Sequence, residues 1–153
     1  QTVRWRARIV AMVLCLMGFS LAIYGAKLDS QPRQTKKGGV IHWVTFDKEL
    51  VNVYRAEGKT VFIDFTATWC LSCQVNERVA LYHPKVVQFI KDKEIVMMKA
   101  DWTNYDEYIT KALASYGKSS IPLYVVYRPD VSEEPTFLPE ILTPGIVMSA
   151  LGR

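Results

Sequence analysis

The sequence predicts a layered α/β domain behind a membrane-spanning helix, and three observations carry that prediction. From residue 40 onward, short apolar runs with strand character alternate with stretches of helical spacing. One of those runs, VFIDFT at 61–66, is almost wholly apolar and bounded by turn signals, the mark of a buried strand. Ahead of them, residues 9–26 (IVAMVLCLMGFSLAIYGA) carry no charge over 18 positions, about the length a helix needs to cross the hydrocarbon core.

The elements follow in order. Residues 1–8 form a basic flank with Arg4, Arg6 and Arg8. Residues 9–26 are expected to be a retained transmembrane helix. Ala22 and Tyr24 make a poor cleavage box, which argues against a signal peptide. The three arginines favour a cytoplasmic N-terminus, and Lys27, Arg33, Lys36 and Lys37 weaken that bias. The domain that follows is expected outside the cytoplasm. Residues 27–39 are polar and end in paired glycines, as a tether does.

Residues 40–153 are expected to be the folded domain. Residues 40–46 read as a first strand, and Asp47 as the cap of a helix running to Gly58. After the 61–66 strand, a helix is expected from near Cys70 to about Leu81. Residues 84–91 form another, with Val86, Val87, Phe89 and Ile90 on its apolar side. Residues 95–100 are the next strand, 106–116 a helix stopped by Gly117, and 123–127 a further strand. Thr143 and Pro144 open a last short helix as cap and first-turn proline. The chain starts at Gln1, so a processed chain or part of a longer protein is expected.

The net charge of +4 invites a nucleic-acid reading, but its distribution argues against one. From Lys27 onward there are 16 Lys and Arg against 15 Asp and Glu. No basic stripe remains for a phosphate backbone.

Three cysteines are present, Cys15, Cys70 and Cys73. Cys15 lies in the apolar run and reads as an inert small hydrophobe. The pair in Trp69-Cys70-Leu71-Ser72-Cys73 directly follows the buried strand. A thiol in the first turn of a helix meets unpaired N–H groups that stabilise thiolate, the attacking species in disulfide exchange. Cys70 is therefore read as the exposed nucleophile and Cys73, one turn deeper, as the resolving thiol. A structural zinc site needs about four ligands, and His42 and His83 have no ligand spacing to the pair. Covalent haem needs His after the second Cys, where Gln74 stands. A structural disulfide closing so small a loop would contribute little. No metal and no cofactor beyond the Cys70–Cys73 disulfide is expected.

Two acids flank the pair. Asp64 sits between Ile63 and Phe65 in the apolar strand. Burial there raises a carboxyl pKa, and such a group would accept the Cys73 proton. The competing expectation is an Asp satisfied by backbone donors. Glu77, four residues after Cys73, shares its helix face or is an ordinary solvated residue. Both acids disfavour thiolate, so the Cys70 thiol is not expected to be deeply acidified. Pro122 enters an apolar strand, where proline is normally excluded. A cis Ile121–Pro122 bond would resolve this and leave the Ile121 backbone for an extended substrate; the alternative is a trans proline at a strand edge. Asp101-Trp102-Thr103 is expected to serve the core or a turn.

DFTATWCLSC followed by a helix, then SSIPLYVVY, resembles thioredoxin-like domains. The stretches CLSCQVNERVAL, MKADWTN, YGKSSIPLYVVY and LPEILTPGIV resemble more closely the C-terminal domain of DsbD-type membrane protein-disulfide reductases, over roughly residues 61–151. The resemblance implies a thioredoxin-like fold with a central mixed β-sheet. It implies that Asp64, Trp69, Cys70, Cys73 and Pro122 are the buried acid, active-site tryptophan, dithiol and cis-proline, with Glu77 a further acid. Trp69, Leu71, Ser72, Ile121 and Pro122 would meet the substrate. Thr66, where an aromatic residue is common, and Leu-Ser in place of Gly-Pro depart from the usual pattern.

Such proteins take electrons from cytoplasmic thioredoxin through a membrane-embedded domain. They pass them to a periplasmic N-terminal reductase domain or thioredoxin-like partner, and so to protein disulfides and cytochrome c maturation. The resemblance therefore implies a bacterial inner-membrane protein with this domain in the periplasm, and residues 9–26 as the last membrane helix. The alternatives are a stand-alone membrane-anchored reductase for cytochrome c maturation, and a non-catalytic binding module.

Overall fold

A computed structural model describes residues 41–152. The predicted span at 9–26, the tether at 27–39 and Cys15 lie outside the described residues. Among the described residues no helix is long and apolar enough to cross a membrane.

The elements run β1 (Trp43–Thr45), α1 (Lys48–Ala56), β2 (Val61–Thr66), α2 (Leu71–Asn76), a π-helical turn (Glu77–Leu81), α3 (Pro84–Asp92), β3 (Val96–Asp101), α4 (Glu107–Ser115), β4 (Leu123–Tyr127), β5 (Thr136–Leu138) and α5 (Pro144–Gly152). The sheet order is β1-β3-β2-β4-β5. β3 pairs parallel with β1 and β2, while β4 pairs antiparallel with β2 and β5. The sheet is therefore mixed, with β2 at its centre and buried along its whole length.

Local chemistry explains the helix ends. Asp47 caps α1 by accepting from the N–H groups of Glu49 (2.7 Å) and Leu50 (3.3 Å). Asp106 caps α4 through Ile109 N–H at 3.0 Å. Thr143 Oγ1 accepts from Ile146 N–H at 3.2 Å, with Pro144 in the first turn. Gly117, at φ +68°, follows α4 in the left-handed conformation that ends helices.

Side-chain alternation along β2 sorts the core into two layers. Val61, Ile63 and Phe65 pack with Val51 of α1 and Leu113 of α4. Phe62 faces the other way, with Tyr124 and Met97, onto Leu81, Val86 and Val147. Asp64 shares the Phe62 face, the one covered by α2 and the π-helical turn.

Three elements differ from the sequence expectation. The first strand is only Trp43–Thr45. The helix expected over 70–81 is α-helical only to Asn76. It then widens, and Tyr82 N–H donates to Glu77 O at 2.8 Å. That i→i−5 bond absorbs one extra residue and leaves Ala80 and Leu81 both fully buried. β5 has no counterpart in the sequence reading. It is three residues long, with Thr136 and Phe137 exposed, so it carries no alternation to detect.

Asn76 joins the last turn of α2 to β4 and to the loop after β5. It is 4 % exposed, donates to Tyr124 Oη (3.0 Å) and Glu140 O (2.6 Å), and accepts from Leu142 N–H (3.0 Å). Asn76→Ala leaves two buried polar groups, Tyr124 Oη and Leu142 N–H, and the partly exposed Glu140 carbonyl short of a partner, so it is expected to destabilise the domain by about 2–4 kcal/mol. Urea unfolding at unchanged m-value checks this. Tyr124→Phe, which removes one of these bonds, is expected to cost about 1 kcal/mol.

Candidate active site

Cys70 stands at the N-cap of α2, immediately after β2 and its short following turn. Cys70 and Cys73 are joined as a disulfide. The Cys73 N–H points at Cys70 Sγ at 3.2 Å, and Ser72 Oγ lies 3.5 Å from the same sulfur. Both would stabilise a thiolate on Cys70 after reduction. The sequence reading had Cys70 exposed, and this needs correction. Cys70 is 6 % exposed and Cys73 2 %, because Ala67 and Ile121 pack against the pair. The order of access is as expected, but access is narrow. What projects around the sulfurs is Leu71 (74 % exposed) and Trp69 (48 %).

These side chains line a mostly apolar groove of about 650 Å³, with Trp69, Cys70, Leu71, Val75, Ile121 and Ile141 on its walls. Ser72 also borders it. The Ile121–Pro122 bond is cis, as expected for a proline ahead of β4. Val75 and Ile141 were not read from the sequence as site residues. Ile141 is 76 % exposed, on a loop that Asn76 holds through its neighbours Glu140 and Leu142.

Asp64 lies beneath α2, paired in register with Lys99 on one side and Tyr124 on the other. It is 2 % exposed, and its Oδ1 has no hydrogen-bond partner. The expectation of a carboxylate satisfied by backbone donors therefore fails for that oxygen. Burial pushes the Asp64 carboxyl up to about 7, with the Lys99 ammonium opposing and Glu77 adding to the rise. Tyr124 is held above its ordinary value by burial and by Asp64.

Glu77 is not an ordinary solvated helix residue. Its Oε1 accepts from Lys99 Nζ at 2.6 Å, and the two side chains are 24 % and 29 % exposed. Lys99 also sits over the Trp43 ring, 4.6 Å from its centroid. Two carboxyl groups and one ammonium thus share the ground below the dithiol helix.

The Asp101-Trp102-Thr103 stretch holds the rim of the site, beyond the core or turn role expected of it. Asp101 Oδ1 accepts from Thr103 N–H at 2.9 Å and from the Thr103 hydroxyl. Thr103 Oγ1 accepts from Thr68 N–H at 2.9 Å, and Thr103 O accepts from Trp69 Nε1 at 3.0 Å. The signal available in the sequence was positional. β2 and β3 are parallel neighbours, with Thr66 opposite Asp101, so the loops leaving their carboxyl ends must meet.

Comparison with known proteins agrees with this geometry. Residues 42–129 match the family described as Thioredoxin-like. Thiol:disulfide interchange protein DsbD of Pseudomonas fluorescens is 30% identical over 79 residues, which is 52% of this chain and 13% of that protein. The chain thus spans a small part of that relative's length. The C-terminal domain of Neisseria meningitidis DsbD in its oxidised form superposes with a TM-score of 0.55 at 24% identity, covering 69% of this chain and 95% of that one. A thioredoxin from Thermus thermophilus superposes with a TM-score of 0.58 at 16% identity, covering 73% and 85%. The two superpositions establish the fold.

Proposed function

The chain belongs to the thioredoxin-like family, and from that premise we propose that Cys70 and Cys73 relay reducing equivalents from a membrane-embedded electron-transfer domain to protein disulfides in the bacterial periplasm. Thiol–disulfide exchange is the chemistry of the family and of the pair. The finer reading, its direction and place, is carried by the 79-residue match to the DsbD protein. The inner-membrane location, the periplasmic reductase partner and the absence of any cofactor other than the disulfide belong to the same proposal.

The residues support a donating role. Thiolate at Cys70 receives help from the Cys73 N–H and the Ser72 hydroxyl. Asp64 adds negative charge when ionised and opposes it, while the Glu77 charge is offset by Lys99 at 2.6 Å. A pair whose reduced form is less stabilised gives up electrons more readily.

The step proceeds from the reduced dithiol. Cys70 thiolate attacks one sulfur of a partner disulfide; that S–S bond breaks, a Cys70–partner disulfide forms, and the partner's leaving thiolate takes a proton from solvent. Cys73 thiol then gives its proton to Asp64, directly or through water, and attacks Cys70 Sγ. The Cys70–Cys73 disulfide forms, the second partner sulfur departs, and two electrons have moved to the partner. Asp64 suits this role because a carboxyl titrating at about 7 is a competent base near neutral pH.

In membranes of growing cells the pair is expected to be mainly reduced, and to become oxidised when cytoplasmic thioredoxin is depleted. Acid quenching followed by alkylation with a heavy maleimide reads both states. A pair that stays reduced without cytoplasmic thioredoxin would overturn the relay and favour a stand-alone reductase with another electron source. An alkaline phosphatase fusion after Lys37 that is inactive would overturn the periplasmic placement.

A further inference from the structure

Tyr105 occupies a backbone conformation that tyrosine rarely adopts. Its φ is +54°, in the left-handed region where Cβ crowds the neighbouring carbonyl and where glycine or asparagine sits at lower cost. The residue is 62 % exposed, so deep burial does not repay the strain. What it has is a ring on either side. Its ring stacks on Trp69 with centroids 5.5 Å apart and planes 19° from parallel. Its ring also meets Trp102 edge-on, at 5.0 Å and 72°.

This group is anchored away from the dithiol. Trp102 Nε1 donates to Thr110 Oγ1 on α4 at 2.8 Å. The Tyr105 N–H closes the turn onto Trp102 O at 3.0 Å. Contacts therefore run from α4 through Trp102 and Tyr105 to Trp69, the residue before Cys70. Strain kept in place by its surroundings beside a reactive pair is a pointer to function.

We propose that Tyr105 is a positioning residue for the dithiol site, clamping the Trp69 indole so that the groove wall beside Cys70 is formed before a protein disulfide docks. The hydrogen bond to Thr103 O at 3.0 Å restrains the indole at one edge. The stacked ring adds restraint over its face. A wall ordered in advance costs less entropy when an extended protein segment lies against it. A small disulfide has little use for that wall, so the clamp selects for protein substrates. The proposal rests on the thiol–disulfide exchange reading.

The test compares Tyr105→Gly, Tyr105→Asn and Tyr105→Phe in the full chain. Glycine and asparagine accept the backbone conformation and remove the ring, whereas phenylalanine keeps it. With dithiothreitol as the electron donor that regenerates the dithiol and insulin as the protein disulfide, Gly and Asn are expected to raise KM about three- to tenfold with kcat less affected, the scale of one aromatic stack. Turnover of oxidised glutathione is expected to change little, and the thermal midpoint not to fall. The change in tryptophan emission on reduction by dithiothreitol is expected to shift in both variants, because Trp69 adjoins the disulfide, and Phe is expected to restore every readout. Wild-type KM in Gly and Asn, a Phe variant as impaired as Gly, or equal losses on both substrates with a lowered midpoint would each overturn the proposal. If the wild-type chain reduces neither substrate, the exchange reading falls, and the emission comparison still decides whether Tyr105 orders Trp69.

Discussion

Cys73→Ala is expected to abolish turnover of protein disulfides and to accumulate a mixed disulfide through Cys70. Cys70 is the first sulfur an incoming chain reaches, since it lies on the groove wall while Cys73 is 2 % exposed. Without Cys73 the first exchange still occurs and the second cannot. The loss in turnover is expected to be about a thousandfold or more, the scale for removing one member of a catalytic unit. Non-reducing electrophoresis after alkylation shows the trapped species, and mass spectrometry of the released chain names the partner. Cys70→Ala is expected to lose the same activity and trap nothing. A trap formed by Cys70→Ala instead would reverse the two roles. Full activity in a Cys70→Ser variant would leave only a binding module.

Asp64→Asn is expected to make the domain more stable at pH 8 and slower. The carboxyl titrates at about 7 in the folded chain and at about 3.9 unfolded. Between those values the folded state holds a proton that the unfolded state has lost, so stability falls as pH rises. Below pH about 4 the neutral carboxyl costs the fold nothing extra, and above about 7 the loss is complete. About three units of displacement amount to roughly 4 kcal/mol. Wild type and Asp64→Asn should therefore run parallel in acid, diverge from pH 4 to 7 and stay apart above it, with the variant more stable. Chemical denaturation at several pH values checks the window. The same change removes the proton acceptor for Cys73, so turnover at pH 7 is expected to fall about a hundredfold, with the inflection near pH 7 lost from the pH–rate profile. A stability difference that does not vary with pH, or a variant less stable at pH 8, would contradict the assignment.

Activity and stability thus pull against each other at this position. An unpartnered carboxyl oxygen in the core is a poor choice for folding, and the role proposed for Asp64 is a reason for the fold to keep it.

Much of the site was legible before the structure because the chemistry is local. Cys70 and Cys73 are three positions apart, and a helix start after a buried strand specifies both their proximity and their order. The caps at Asp47 and Thr143 lie within three residues of the N–H groups they satisfy. β2 announced itself because a central strand buried on both faces is a continuous apolar run, and that is why Asp64 stood out within it.

What escaped the sequence lies between segments far apart in the chain. Trp69 meets Thr103 across 34 residues, Lys99 meets Glu77 across 22, and Asn76 reaches Glu140 across 64. No periodicity relates such pairs. They are set by β2 and β3 running parallel, and by β4 and β5 carrying the Ile141 loop back to the dithiol helix. The sequence by itself determined the element types apart from β5 and the π-helical turn, together with the dithiol and its place at a helix start, because those depend on contacts within a turn or along one strand. The tertiary structure alone decided that Asp64 Oδ1 has no partner, that Glu77 is tied to Lys99, that Tyr105 stacks on Trp69, and that Cys70 is nearly covered. Each of these depends on which side chains the sheet order brings together, and packing, unlike propensity, is a property of the whole chain.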